Sequence, residues 1–258
     1  MKGNQADSIR LVSGHSKWSQ IKRQKGVADV KRGATFTRVT REVMLAAKEG
    51  GGDPDANFRL RLAMDKARAV NMPQGNIQRA IDRATGAIAG EAIEYVLYEG
   101  YGPGGVSILV EAATDNRNRT ASEVRAAFSK HNGSLGGPGS VGWQFDQKGA
   151  IEIDAEDGDT DEISLLAIDA GAEDVEVDGS AVTVYTTPGD LKKVKEALDA
   201  AKLKVESAEH TMKPQNTVKL SGDGAMKVIR LVEALEELDD VSKVHANFDV
   251  PEEILANA

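Results

Sequence analysis

The spacing of apolar residues changes at Gly86, and this change constrains the fold of the 258-residue chain more than any other feature. Before it, apolar positions recur at helical intervals. One stripe is Phe36, Val39, Val43 and Ala46/Ala47, the next Leu60, Ala63/Met64, Ala67 and Val70, the third Ile77, Ile81 and Ala84. Gly50-Gly51-Gly52 separates the first two stripes. Asp53-Pro54 offers a cap with proline at the first helical position, and Pro73 opens the third helix. Ser16 to Arg32, with Trp18 and Ile21, is a fourth helical segment, marked off by Gly26 and Gly33. Together these segments predict a small helical bundle.

After Gly86 short β runs take over. Tyr95–Glu99 and Val106–Ala112 predict strands joined by GYGPGG, and Thr120-Ala-Ser-Glu123 reads as a capping box opening a helix to Lys130. Trp143–Asp146 and Ala150–Ile153 predict a hairpin about Gln147-Lys148-Gly149. A helix over Asp159–Ala170 follows, then a second hairpin, Asp174–Val177 with Ala181–Thr186, turning at Asp178-Gly179. Next come a helix capped by Thr187-Pro188 and a strand at Val205–His210. With one hairpin strand set aside, this is the βαββαβ order of a ferredoxin-like unit. The pieces 92–132 and 217–250 are each too few to bury a core, so they are expected to pair. The expected fold is α+β, an N-terminal helical bundle followed by two ferredoxin-like α/β domains, one inserted into the other. The expected boundaries are a disordered extension 1–12, a basic helical domain 13–88, a discontinuous α/β middle domain 89–137 with 214–258, and an inserted α/β domain 138–213.

Charge is divided along the same line. The net charge is −9, yet residues 1–85 hold 17 Lys+Arg against 8 Asp+Glu, a net of +9, and residues 86–258 hold 15 against 33, a net of −18. Surface charges act over about 8–10 Å in physiological salt, so a polyanion would feel the basic third almost alone. With no cysteine there is no disulfide, thiol nucleophile or thiolate metal site. Apolar runs such as Val43–Ala47 fall far short of the roughly twenty residues of a membrane helix, and MKGNQADSIRLV has no signal-type apolar core. A cytoplasmic protein with no membrane partner is expected.

Motifs for chemistry fail on context. Gly100-x-Gly102-x-x-Gly105 has the dinucleotide-binding spacing, but a β run follows where the phosphate-binding helix should start. It is expected to be an exposed strand connection. The carboxylates Glu152, Asp154, Glu156, Asp157, Asp159, Asp161 and Glu162 lie along an extended run and do not meet the EF-hand spacing. A metal-dependent enzyme built on that run is the alternative reading, and a pure protein-interaction module is another. His15, His131, His210 and His245 are far apart, and there is no nucleophile elbow or Walker A sequence. No catalytic residue, cofactor, metal or small-molecule substrate is expected.

The positive signal is SGHSKWSQIKRQKGVADVKRG, residues 13–33. His15, Lys17, Lys22, Arg23, Lys25, Lys31 and Arg32, continued by Arg38 and Arg41, are the expected nucleic-acid contacts, because cations neutralise phosphates and release counterions. Trp18 could stack on a base or pack in the bundle, and both readings stay open. Lys48, Arg59, Arg61, Lys66, Arg68, Arg79 and Arg83 extend the basic surface.

Several segments then carry a resemblance. Gly14-His-Ser-Lys-Trp18, Lys31-Arg-Gly-Ala-Thr-Phe36, Asn71-Met-Pro73, Tyr98-Glu-Gly-Tyr-Gly-Pro-Gly-Gly105, Thr114-Asp-Asn-Arg-Asn-Arg-Thr120 and Gly139-Ser-Val-Gly-Trp143 resemble, in order, the YebC/PmpR family of regulatory proteins. The resemblance implies a three-domain α/β protein of the bacterial cytoplasm. It also implies either a DNA-binding transcriptional regulator or a translation factor acting on ribosomes stalled in elongation; mitochondrial relatives activate translation of cytochrome oxidase. The partner implied is duplex DNA or ribosomal RNA in the ribosome. The chain departs from the family pattern at Gln74-Gly75, where many members have Lys-Asp, and in the twelve residues before Ser13. No helix-turn-helix reader, zinc finger or aromatic RNA-binding signature is evident, so recognition by shape and charge is favoured over base readout, with structured RNA ahead of duplex DNA.

Overall fold

A computed structural model describes residues 32–89, 92–155, 158–220 and 222–249. The helices are α1 (Arg32–Gly50), α2 (Phe58–Ala69), α3 (Gln74–Ala84), α4 (Arg117–Lys130), α5 (Thr160–Ala170), α6 (Leu191–Ala200) and α7 (Gly222–Glu236). The strands are β1 (Glu94–Tyr101), β2 (Ser107–Thr114), β3 (Ser134–Leu135), β4 (Phe145–Asp154), β5 (Asp174–Asp178), β6 (Ala181–Thr186), β7 (Val205–Pro214), β8 (Val218–Lys219), β9 (Val241–Ala246) and β10 (Phe248–Asp249). The fold is mixed α+β, helices first and sheets after. Contacts divide the described residues into two compact units, one of 147–211 and a larger one of the residues up to 146 together with those from 212 on.

In the larger unit the helical stripes meet as read. Val39, Val43, Leu60, Ala67, Ile77 and Ile81 are buried in one core, which Ile93 and Ala113 complete from outside the helices. The α2 cap differs from the sequence expectation. Asp53 closes a turn by accepting from the Asp55 amide at 2.9 Å, and α2 starts later, at Asn57. Asn57 Oδ1 accepts from Leu60 N–H at 3.0 Å, while its Nδ2 donates to the carbonyls of Ala46 and Gly51, each at 2.8 Å. An amide can serve the free N–H groups of one helix and the free carbonyls of another; a carboxylate cannot donate. The chain comes so close here that a Cβ on Gly50 would lie 2.5 Å from Asn57 Nδ2.

The four-stranded sheet of this unit has the order β3-β1-β2-β9, antiparallel throughout, and β8 and β10 pair in parallel as a separate two-stranded sheet. Phe128 of α4 and Ile229, Leu231 and Leu235 of α7 bury against Ile108, Val110 and Val244. The chain order departs from βαββαβ, because the central pair β1–β2 is a direct hairpin. The short link GYGPGG can join antiparallel neighbours, whereas a parallel crossover takes a dozen or more residues. The glycines of the dinucleotide-like pattern serve this hairpin. A Cβ on Gly100 would lie 2.7 Å from the Phe128 ring, and Gly105 holds φ +80° in the turn.

The α4 start also corrects the sequence reading. Asn116 is the cap, accepting from Arg119 N–H at 3.1 Å, and Thr120 lies inside the helix, fully buried. The capping-box pattern was met, but Thr120 has a tertiary partner described below.

In the smaller unit, β4, α5, β5, β6, α6 and β7 build a sheet of order β5-β6-β4-β7. β6 lies between β4 and β5, antiparallel to both. The expected hairpin about Gln147-Lys148-Gly149 is instead the single strand β4. Gly149 is there for close approach rather than for a turn: a Cβ would lie 2.4 Å from Thr186 Oγ1. Residues 138–146, read from sequence as part of the insert, pack in the larger unit, where Val141 and Phe145 bury against Leu109.

Candidate nucleic-acid interface

Of the ten expected contacts, His15, Lys17, Trp18, Lys22, Arg23, Lys25 and Lys31 lie outside the described residues, and so does the side chain of Arg32. Arg38 and Arg41 are described, and both turn toward the segment after α7. Arg38 Nη2 donates to the Glu236 carbonyl at 2.5 Å. The last turn of α7 has no cation of its own, so Arg38 supplies one to its free carbonyls and to the negative end of its dipole. Arg41 Nη1 donates to the Asp239 carbonyl at 2.5 Å and pairs with Asp240 Oδ1 at 2.8 Å. Arg41 is 14% exposed and Asp240 only 2%. Arg41 is thus engaged by a buried carboxylate, and a phosphate reaching it would have to draw it away from Asp240.

Asp240 is the centre of a polar cluster. The hydroxyls of Thr114 and Thr120 donate to its Oδ2 at 3.0 and 2.6 Å, and Arg119 Nη2 does so at 2.7 Å. Burial by itself would raise the Asp240 pKa. The bonds from Thr120 and Arg119, the Arg41 charge and the Thr114 bond outweigh it and hold the carboxyl below the usual range. Arg119 is raised in turn by Asp240 and Asp115. The cluster ties α1, the start of α4 and the turn before β9 into one body. Sequence reading missed it, although Thr114, Arg119 and Thr120 were in plain view in TDNRNRT; Asp240 is 120 positions from Thr120 and carries no local signal.

The other helical cations divide by what holds them. Lys48 donates to the Ile93 carbonyl at 2.8 Å and Arg61 to Pro54 at 3.2 Å. Arg59 pairs with Glu49, Lys66 with Glu42 at 2.8 Å and Arg68 with Asp65 at 2.8 Å. These three pairs are solvent-facing and worth about 0–1 kcal/mol each, so a phosphate can replace their carboxylates at little cost. Arg83 lines a groove with Phe36, Met44, Ile93 and Asp115.

Glu156 and Asp157 of the acidic run lie outside the described residues, and several of the others serve local structure. Asp159 caps α5 through the amides of Asp161 and Glu162, Glu152 accepts from Ser207 at 2.9 Å, and Asp154 pairs with Lys204 at 3.3 Å. Among the described residues no three His, Asp or Glu side chains converge on a metal position, and no helix is long and apolar enough to cross a membrane.

A second buried carboxylate shapes a loop. Glu99, 8% exposed, accepts from the amides of Gly139, Val141 and Gly142, each at 2.7 Å. Burial would raise its pKa, but these three amides pull it below the ordinary value.

Comparison with known proteins agrees with this architecture. The model of the TACO1/YebC N-terminal domain matches residues 16–87, and that of the TACO1/YebC second and third domain matches 93–248. A protein of Herpetosiphon aurantiacus is 53% identical over 244 residues, covering 94% of this chain and 97% of its own length. One of Roseiflexus castenholzii is 54% identical over 248 residues, covering 94% and 97%. Both are named probable transcriptional regulatory protein. The crystal structure of the conserved hypothetical protein Aq1575 from Aquifex aeolicus superposes with a TM-score of 0.85 at 48% identity, over 93% of this chain and 99% of that one. With matches along nearly its whole length, the chain belongs to the TACO1/YebC family.

Proposed function

We propose that the protein is a non-enzymatic regulator of gene expression that binds nucleic acid through its basic N-terminal third. The observation that carries this reading is the charge division, +9 over residues 1–85 against −18 over the rest. The names of its relatives favour transcriptional regulation, and duplex DNA is the partner we propose for that reading. A second reading, a translation factor on the ribosome, is favoured by the lack of any base-reading motif, since a surface of exposed, exchangeable ion pairs suits structured RNA as well as DNA. In either case residues 15–32 hold phosphates, assisted by Arg59, Lys66 and Arg68. Arg38 and Arg41 hold α1 to the segment after α7. The three-part organisation belongs to the same reading: the bundle binds, the middle domain carries it, and the inserted ferredoxin-like domain offers an acidic face to a protein or a ribosomal surface. The site of action is the cytoplasm.

The test is a salt series with duplex DNA and with ribosomes. Each phosphate contact contributes about −0.9 to the slope of log K against log salt on duplex DNA. A steep slope on one target and a flat one on the other identifies the partner. Flat slopes on both would refute nucleic-acid binding and favour the protein-interaction module.

A further inference from the structure

Trp143 is 69% exposed, the most open large apolar side chain among the described residues, and it stands on an unusually well-held loop. Residues 136–142 close around the Glu99 carboxylate through the three amides already described. Tyr101, 39% exposed, donates its hydroxyl to the Ser140 carbonyl at 2.8 Å, and the Trp143 indole N–H reaches the same carbonyl at 3.3 Å. One backbone oxygen therefore brings the polar ends of two exposed aromatic side chains together. Both polar groups are satisfied within the protein, which leaves ring surface as what the pair offers.

We propose that Trp143 and Tyr101 form a stacking platform for an unpaired nucleobase. The inference rests on the nucleic-acid reading above and deepens it, placing a base contact on the sheet domain away from the phosphate-binding bundle. Three features choose this occupant. The platform is small: a protein interface buries about 800 Å² on each partner, whereas the exposed residues beside Trp143 in the loop are Gly137, Pro138 and Gly139, which add little side-chain surface. No lysine or arginine lies between Lys130 and Lys148, so the loop has nothing for a phosphate and only ring faces for a flat ligand. Finally, the loop is already pinned, so binding costs little ordering entropy. Every base has a π-face, so such a contact tolerates any sequence.

Trp18 and Trp143 are the only tryptophans, so the Trp18→Phe variant reports Trp143 fluorescence alone. The probes are a short single-stranded oligoadenylate and an abasic ribose-phosphate chain of the same length. The oligoadenylate is expected to quench Trp143 and the abasic chain to leave it unchanged. In the otherwise wild-type protein, Trp143→Ala should weaken oligoadenylate binding by about 5- to 150-fold. Abasic-chain binding should be unchanged, Trp143→Phe should keep most of the affinity, and both variants should melt like wild type. Equal oligoadenylate binding by Trp143→Ala and wild type, with a salt-dependent affinity intact, would overturn the platform alone and leave the pair to a protein partner. If no probe or duplex binds in a salt-dependent way, the platform and the proposed function fall together.

Discussion

Removing the Asp240 carboxylate should be among the most damaging single changes in the larger unit. Asp240→Ala leaves Arg41, only 14% exposed, facing a cavity where its partner was. It also leaves Thr114 and Thr120, both fully buried, without their acceptor. Breaking a buried pair by removing one member costs about 3–5 kcal/mol, and one orphaned buried hydroxyl about 1–3. The two hydroxyls lie 2.8 Å apart and can bond each other, and Thr120 also reaches the Asn116 carbonyl at 3.1 Å, so the hydroxyl loss falls at the low end of that range. The losses share one carboxylate and do not add in full, which puts the expected cost at about 4 kcal/mol. Asp240→Asn keeps the shape and one acceptor oxygen and should cost about 2 kcal/mol. Urea unfolding of the Trp18→Phe background, followed by Trp143 fluorescence, reads the larger unit; at about 2–3 kcal/mol per molar, the midpoint of Asp240→Ala should fall by more than about 1 M with the slope unchanged. The pH dependence has a definite sign. The folded-state pKa is lowered, so below about pH 4 the unfolded chain takes up the proton first, and stability present above that range is lost as pH falls through the lowered value. The gap between wild type and Asp240→Asn should therefore close in acid. A loss under about 1 kcal/mol for Asp240→Ala, or a gap that widens in acid, would refute the idea that a charged, buried Asp240 binds these elements together.

Three further changes test other joints. Asn57→Ala removes the α2 cap and both ties to the end of α1, and should lower stability by about 2 kcal/mol, seen as a drop in melting temperature. Gly100→Ala forces a methyl against the Phe128 ring and the Ser134 carbonyl, each 2.7 Å away, and should cost about 1–3 kcal/mol by urea unfolding. Changing Lys22, Arg23 and Lys25 together to alanine should reduce the salt slope of duplex binding by about 3, one for each lost phosphate contact, with melting nearly unchanged; an unchanged slope would move the contact to Arg59, Lys66 and Arg68.

The sequence by itself determined what is local. Helical stripes such as Val39–Val43 and Ile77–Ile81, the β runs, the Asp178-Gly179 turn and the charge division are written in neighbouring residues, because side-chain period and charge need no partner to be read. The tertiary structure decided everything that depends on a distant partner. Thr120 satisfied a capping pattern and became a buried donor to Asp240, because a carboxylate 120 positions away needed the hydroxyl more than an exposed helix start did. Gly149 looked like a turn residue and proved to be the close approach under Thr186. Arg38 and Arg41 counted as surface cations until α7 supplied carbonyls and Asp240 a carboxylate to hold them. Trp143, read from sequence only as the start of a strand, stands on the surface on a loop whose amides Glu99 gathers. In each case the physical reason is the same: a buried charge or polar group must find its partner wherever the chain brings one, and linear sequence does not record that distance.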